Sequence, residues 1–132
     1  MWTVPVTDRT QEDIDRRTPK AYCNAADLNR LEANCRVLAE LLGVDTIIRD
    51  WSRRDWPTVS QLARIRDNIQ TLRGAYYTQR TTPPTPENPL NHWEKWNAAE
   101  RILLDIYTLY LRNLDAAHYT GEAYAGDMIG VI

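Results

Sequence analysis

Nucleophilic catalysis needs a nucleophile, a base and a group that orients the base, and the residue types that supply them are scarce in this chain. Among 132 residues there are two histidines (His92, His118), two cysteines (Cys23, Cys35) and two serines (Ser52, Ser60). Neither serine sits in a Gly-x-Ser-x-Gly elbow, and neither histidine lies in a supporting motif. His92 falls at the start of a helical pattern and His118 just past the end of one, which suits capping or surface roles. Metal binding fares no better, because no Cys-x-x-Cys, His-Glu-x-x-His or EF-hand spacing occurs. The five glycines are dispersed, so no Gly-rich turn is set to cradle a phosphate. Carboxylates are plentiful, but Glu94, Arg101, Asp105, Arg112 and Asp115 alternate in sign along one helical face, with Arg101 and Asp105 at i, i+4. That is the pattern of a solvated face. The expectation is a protein that is not an enzyme and carries no cofactor and no metal.

Charge and tryptophan are the remaining signals. Sixteen basic residues face 18 acidic ones, a net charge of −2, yet the distribution is uneven. Residues 46–80 carry seven arginines against three aspartates, and residues 81–132 carry three basic groups against seven acidic ones. A nucleic-acid reading would use Arg49, Arg53 and Arg54 beside Trp51 and Trp56, since arginine and stacking aromatics suit single strands. The mildly acidic whole favours the other reading, in which the basic middle faces the acidic final helix or another subunit. Five tryptophans include two close pairs, 51/56 and 93/96. Trp93 and Trp96 open an apolar helix, where packing explains them. Trp51 and Trp56 lie on a connection, where they either cap the end of the bundle or serve as interface anchors or a sugar platform.

The elements that position these residues are helical. The length fits one domain, and no apolar run approaches the ~18–20 residues of a membrane span. No signal-peptide pattern follows Met1, and an intracellular, reduced setting without a Cys23–Cys35 disulfide is the default expectation. Residues 1–23 form an arm in which Trp2, Val4 and Val6 alternate, followed by a capping box at Thr10–Asp13 and a short helix to Arg17. The first long helix opens at Asn24, with Asp27 completing the cap. It carries Leu28, Leu31, Cys35, Leu38 and Leu42 on one stripe and stops at Gly43. A second opens at Thr58 with Gln61 and carries Leu62, Ile65, Ile69, Leu72 and Tyr76. At an offset of 34 the two share Leu-x-Arg-Leu/Ile-x-x-Asn, starting at Leu28 and at Leu62, through either duplication or convergent spacing. A proline-rich linker, 81–89, precedes a third helix predicted from about Asn91 to about Asp115. Most of its circumference is apolar, so it must be covered on several sides. The glycine-containing tail from Tyr119 reads as a short strand or hairpin able to pair with the arm.

Several stretches together carry a resemblance. Asp8-Arg-Thr-Gln-Glu-Asp-Ile-Asp-Arg16 followed by Tyr22-Cys-Asn-Ala-Ala-Asp-Leu-Asn-Arg-Leu-Glu32 resembles small tail-region proteins of Firmicutes phages and prophages. The connection Trp51-Ser-Arg-Arg-Asp-Trp-Pro-Thr58, the helix Asn97-Ala-Ala-Glu-Arg-Ile-Leu-Leu104 and the closing Thr120-Gly-Glu-Ala-Tyr-Ala-Gly-Asp127 are similar to theirs, in the same order. The chain departs from them in lacking a long region between the two N-terminal motifs. The resemblance implies a virion component of the distal tail or baseplate, made in the bacterial cytoplasm, and none of its motifs is catalytic.

The expectations are therefore as follows. The fold is mainly α: a three-helix bundle with a short N-terminal helix and a small β element formed by the terminal segments. Its organisation is an arm over 1–23, the bundle over 24–118 and a β-like tail over 119–132. The function is that of a non-enzymatic structural or adaptor protein of a phage tail. Its partners are other tail proteins or further copies of itself, without membrane insertion, and Trp51, Trp56, Tyr119, Tyr124, Met128 and Ile129 are the contact residues. A receptor- or glycan-binding tip built on Trp51 and Trp56 is the alternative, and a small nucleic-acid-binding regulator the second.

Overall fold

The computed structural model describes residues 1–21 and 24–123, the last seven as helical backbone. Four helices follow in order: α1 (Gln11–Asp15), α2 (Ala25–Leu42), α3 (Val59–Ala75) and α4 (Trp93–Ala123). The starts are written in the sequence. Thr10 with Asp13, Asn24 with Asp27 and Thr58 with Gln61 each form a reciprocal capping box, satisfying amide groups that a helix leaves orphaned. Gly43 ends α2 at φ 70°, a left-handed conformation that a side chain would strain. The third long helix opens two residues later than predicted. The His92 ring, rather than Asn91, caps it, its Nδ1 accepting from the Glu94 amide at 3.2 Å. It also continues to Ala123, across the expected boundary at residue 118.

The three long helices form a triangle in which each packs on the other two. Their stripes fill it. Leu28, Leu31, Cys35 and Leu38 of α2, Leu62, Ile65, Ile69 and Leu72 of α3, and Trp96, Ile102, Leu103 and Ile106 of α4 are buried together. Burial pushes the Cys35 thiol well above its usual range, with the nearby Glu32 adding to the shift, so it behaves as a small apolar side chain. Cys23 lies outside the described residues.

The helices run parallel. Tyr76, at the end of α3, lies 5.6 Å from Tyr110 ring to ring and its hydroxyl accepts from Asn113, so α3 ends beside the later part of α4. Parallel neighbours need a return path, and three extended segments supply it, each running back along a groove between two helices. The arm descends between α4 and α2: Thr3 exchanges both backbone hydrogen bonds with the Asn34 side chain, the Val6 amide donates to Glu100, and Arg9 exchanges both with Asn97. Residues 47–51 descend between α2 and α3, where Trp51 exchanges both backbone bonds with Asn29 and the Ile47 carbonyl accepts from Asn68. The proline-rich linker descends along α3, where Arg73 donates to the Pro83 carbonyl and Arg66 to that of Pro86.

This arrangement corrects one expectation and part of a second. Among the described residues there is no strand, so the arm makes no part of a small β element; its backbone groups are taken by Asn34, Glu100 and Asn97 instead of by a neighbouring strand. The expected tail strand lies outside the described residues. The polar stripe of α4 is solvated at Glu94, Arg101, Arg112 and Asp115, as expected, but not at Asp105. Asn97 holds the arm, and the buried Asp105 accepts from Thr82 of the linker at 2.6 Å and pairs with Arg101.

Where the arm meets α2 and α4, four charges are taken out of water together. Arg9 donates to Glu100 at 2.6 Å and lies 3.3 Å from Asp27, while Arg30 pairs with both carboxylates. Two cations and two anions balance. Removing one member leaves a buried charge uncompensated, which typically costs about 3–5 kcal/mol. Glu100→Gln and Arg9→Met are each expected to destabilise the fold on that scale in urea denaturation, and the double variant by clearly less than the two added together.

Candidate functional site

Side chains able to do acid–base chemistry are present in the interior but committed to one another. The Arg9–Asp27–Arg30–Glu100 cluster is almost fully enclosed. Burial works to lower the Arg30 pKa, yet hydrogen bonds and charge from Glu100 and Asp27 raise it above the ordinary arginine range. A second cluster repeats the theme one groove on. Glu32 accepts from Arg64 at 2.7 and 2.8 Å, from the Arg49 amide at 2.9 Å and from the Trp51 indole at 3.0 Å. The bonds from Glu32 raise the Arg64 pKa against the cost of its burial. The raised pKa values keep the Arg30 and Arg64 guanidinium groups protonated, so neither exchanges a proton with a substrate. Among the described residues no group of three or more His, Cys, Asp or Glu could hold a metal ion. No described helix is long and apolar enough to cross a membrane.

The same geometry engages most arginines of the basic middle within the molecule. Arg64 is spent on Glu32, Arg66 and Arg73 on linker carbonyls, and Arg49 stacks over Trp51 at 4.4 Å while pairing with Asp55. These arginines therefore do not face the acidic α4, as charge segregation predicted. They tie α3 to α2 and to the return segments. Arg53 and Arg54 stay exposed.

Trp51 and Trp56, read from the sequence either as a cap on the bundle or as an exposed pair, are separated by the fold. Trp51 is 5% exposed, its ring under Arg49 and its indole N–H on Glu32. It anchors a return segment and cannot serve as a contact residue. Trp56 is 88% exposed. Between them a tight turn reverses the chain: the Asp55 amide donates to the Ser52 carbonyl at 3.0 Å, and the Ser52 amide donates to the Asp55 carboxylate at 2.8 Å. That amide bond holds the Asp55 pKa below the usual carboxylate range against partial desolvation, with Arg49 assisting. Trp56 is thus presented from a pinned turn beside the start of α2. A hollow of about 400 Å³ there is lined by Asn24, Ala25, Arg53, Asp55 and Trp56. Val59, 67% exposed, continues the apolar surface onto the first turn of α3.

At the opposite end of the bundle a second apolar surface appears. Tyr77 just past α3 is 64% exposed, and Leu111 and Leu114 of α4 are 40% and 52% exposed. Beyond Asn113, α4 continues as helix to Ala123, about 15 Å further, with residues 114–116 exposed. Of the contact residues expected from the sequence, Tyr124, Met128 and Ile129 lie outside the described residues, as does the Tyr119 side chain. A larger open hollow of about 560 Å³ where α2 ends, lined by Arg36, Glu40, Gly43 and Asp45 among others, holds no reactive pair beyond the exposed Arg36–Glu40 contact at 3.5 Å.

Set against known proteins, the chain matches no family model, no curated protein and no solved structure.

Two outcomes follow from the turn. Trp51→Ala is expected to cost about 3–5 kcal/mol in urea denaturation, as for other buried aromatics, whereas Trp56→Ala should stay within about 0.5 kcal/mol of the parent. Asp55, with its folded pKa depressed, contributes its stabilisation fully above the unfolded value of about 4 and loses it as pH falls through the lower folded value. The Ser52 amide proton resonance should therefore hold its position down to about pH 4 and move below it, and Asp55→Asn should abolish that transition.

Proposed function

We propose that the protein is a non-enzymatic structural or adaptor protein of a phage tail or baseplate, made in the bacterial cytoplasm and acting in the virion through protein–protein contacts. The observation that carries this reading is where the exposed apolar side chains lie. Trp56 and Val59 lie at the end where the helices begin, and Tyr77, Leu111 and Leu114 at the end where they finish, while Val4 and Ile47 are exposed on the flanks between. An exposed tryptophan on a pinned turn and a leucine pair at the other end are apolar surface for partners to cover. The interior supports the same reading, since its polar groups are spent on rigidity. The tail assignment itself draws on the likeness of residues 8–16, 22–32, 51–58, 97–104 and 120–127 to small tail-region proteins of Firmicutes phages. A paired sugar platform is not available with Trp51 buried.

The test is light scattering coupled to size-exclusion chromatography, on the protein alone and co-expressed with the products of the genes flanking its own. A stoichiometric assembly of one kind or the other is expected, weakened at least tenfold by Leu111→Glu with Leu114→Glu. A protein that stays monomeric alone and binds none of those products would overturn the proposal.

A further inference from the structure

Because the three long helices run parallel, the two ends of the molecule differ, and what lies at one complements what lies at the other. The starting end carries Trp56 and Val59, together with Arg53 and Arg54, which are exposed and form no ion pair among the described residues. Three aligned helix dipoles also put their positive ends there. At the finishing end, α4 runs to Ala123, and residues 124–132 follow it in the sequence. Between residues 113 and 132 the sequence contains Asp115, Glu122 and Asp127 but no Lys or Arg, and after Ala123 it carries Tyr124, Met128, Ile129, Val131 and Ile132. Residues 124–132 are thus apolar with one acidic side chain, Asp127, and no cationic one, the chemistry that an exposed tryptophan beside two arginines would take.

The segment cannot reach the Trp56 turn of its own chain. That turn lies level with the start of α3, and so with the start of α4, while α4 runs for 31 residues. At 1.5 Å per residue its far end is about 46 Å away. Nine fully extended residues span at most about 32 Å. We infer that the protein assembles head to tail: residues 124–132 of one copy dock on the Trp56–Val59 surface of the next, Asp127 against Arg53 and Arg54. Such a contact is heterologous, because each copy uses one surface to give and another to receive, and it builds rings or filaments rather than closed two-fold dimers.

The experiment exploits that asymmetry. A receiving-end variant (Arg53→Glu, Arg54→Glu, Trp56→Ala) keeps an intact tail, and a chain ending at Ala123 keeps an intact receiving end. In analytical ultracentrifugation the parent is expected to associate, more weakly as salt rises, and each variant alone to sediment as a monomer. An equimolar mixture of the two should form a 1:1 dimer, since one still donates and the other still accepts. Circular dichroism and urea unfolding check that both variants fold, and Trp56→Ala alone serves if the triple variant does not. A parent that is monomeric at several hundred micromolar overturns the inference, and binding to a flanking-gene product would then leave the adaptor proposal standing without it. Assembly that survives the tail deletion, or a mixture that stays monomeric, also overturns it.

Discussion

The position of the Glu100 carboxylate is the constraint on which the rest of this structure turns. It sits on α4 with no solvent exposure and accepts from the Val6 amide, from Arg9 and from Arg30, joining the arm, α2 and α4 at one point. Burying such charges is expensive, and leucines of similar volume would often stabilise a fold as well or better. What apolar side chains cannot do is choose a register. A leucine stripe tolerates sliding by a turn, whereas a carboxylate between two guanidinium groups, with Asn97 and Asn34 holding backbone groups on either side, accepts only one alignment of arm and helices.

The same solution occurs one groove away, with the parts renamed. Glu32 takes the place of Glu100, Arg64 that of Arg30, Asn29 that of Asn97 and Asn68 that of Asn34. In each groove an asparagine holds both backbone groups of a buried residue, Trp51 in one and Arg9 in the other. The three helices begin 34 residues apart, so these equivalences fall at multiples of 34. The third groove departs from the pattern. Ala63, Arg66 and Ala98 stand where the repeat would have Asn, Glu and Arg, and the linker is held by arginines on its carbonyls and by Asp105 on Thr82. The shared spacing of the first two helices therefore reflects a shared task, gripping an extended segment against the preceding helix, which the third performs with other residues.

Parallel packing also accounts for the molecule's polarity. Antiparallel bundles cancel their dipoles and turn back through short loops. Here each return takes about 16 residues of extended chain, whose backbone groups must all find partners, and this is why so many Asn and Arg side chains point inward. The outcome is a rigid block with two unlike ends, each carrying uncovered apolar side chains, with Val4 and Ile47 uncovered between them.

The sequence by itself determined the helices. Capping boxes, 3–4 spaced stripes, Gly43 and the proline run act within a few residues of one another, so their physics is local and legible. It also determined the apolar stripes with which α2 and α3 enter the core. The parallel order, the groove-filling role of the arm, and the fates of Asn97, Asp105 and the arginines of α3 were not legible, because a polar residue on a helix reads the same whether water or a distant backbone satisfies it. Trp51 and Trp56 show the difference most plainly. Five residues apart on one connection and alike in type, they look equivalent until Glu32, 19 residues before Trp51, draws one indole into the core and leaves the other in solvent. Only the tertiary structure decides that, since the deciding partner is brought near by folding and not by spacing.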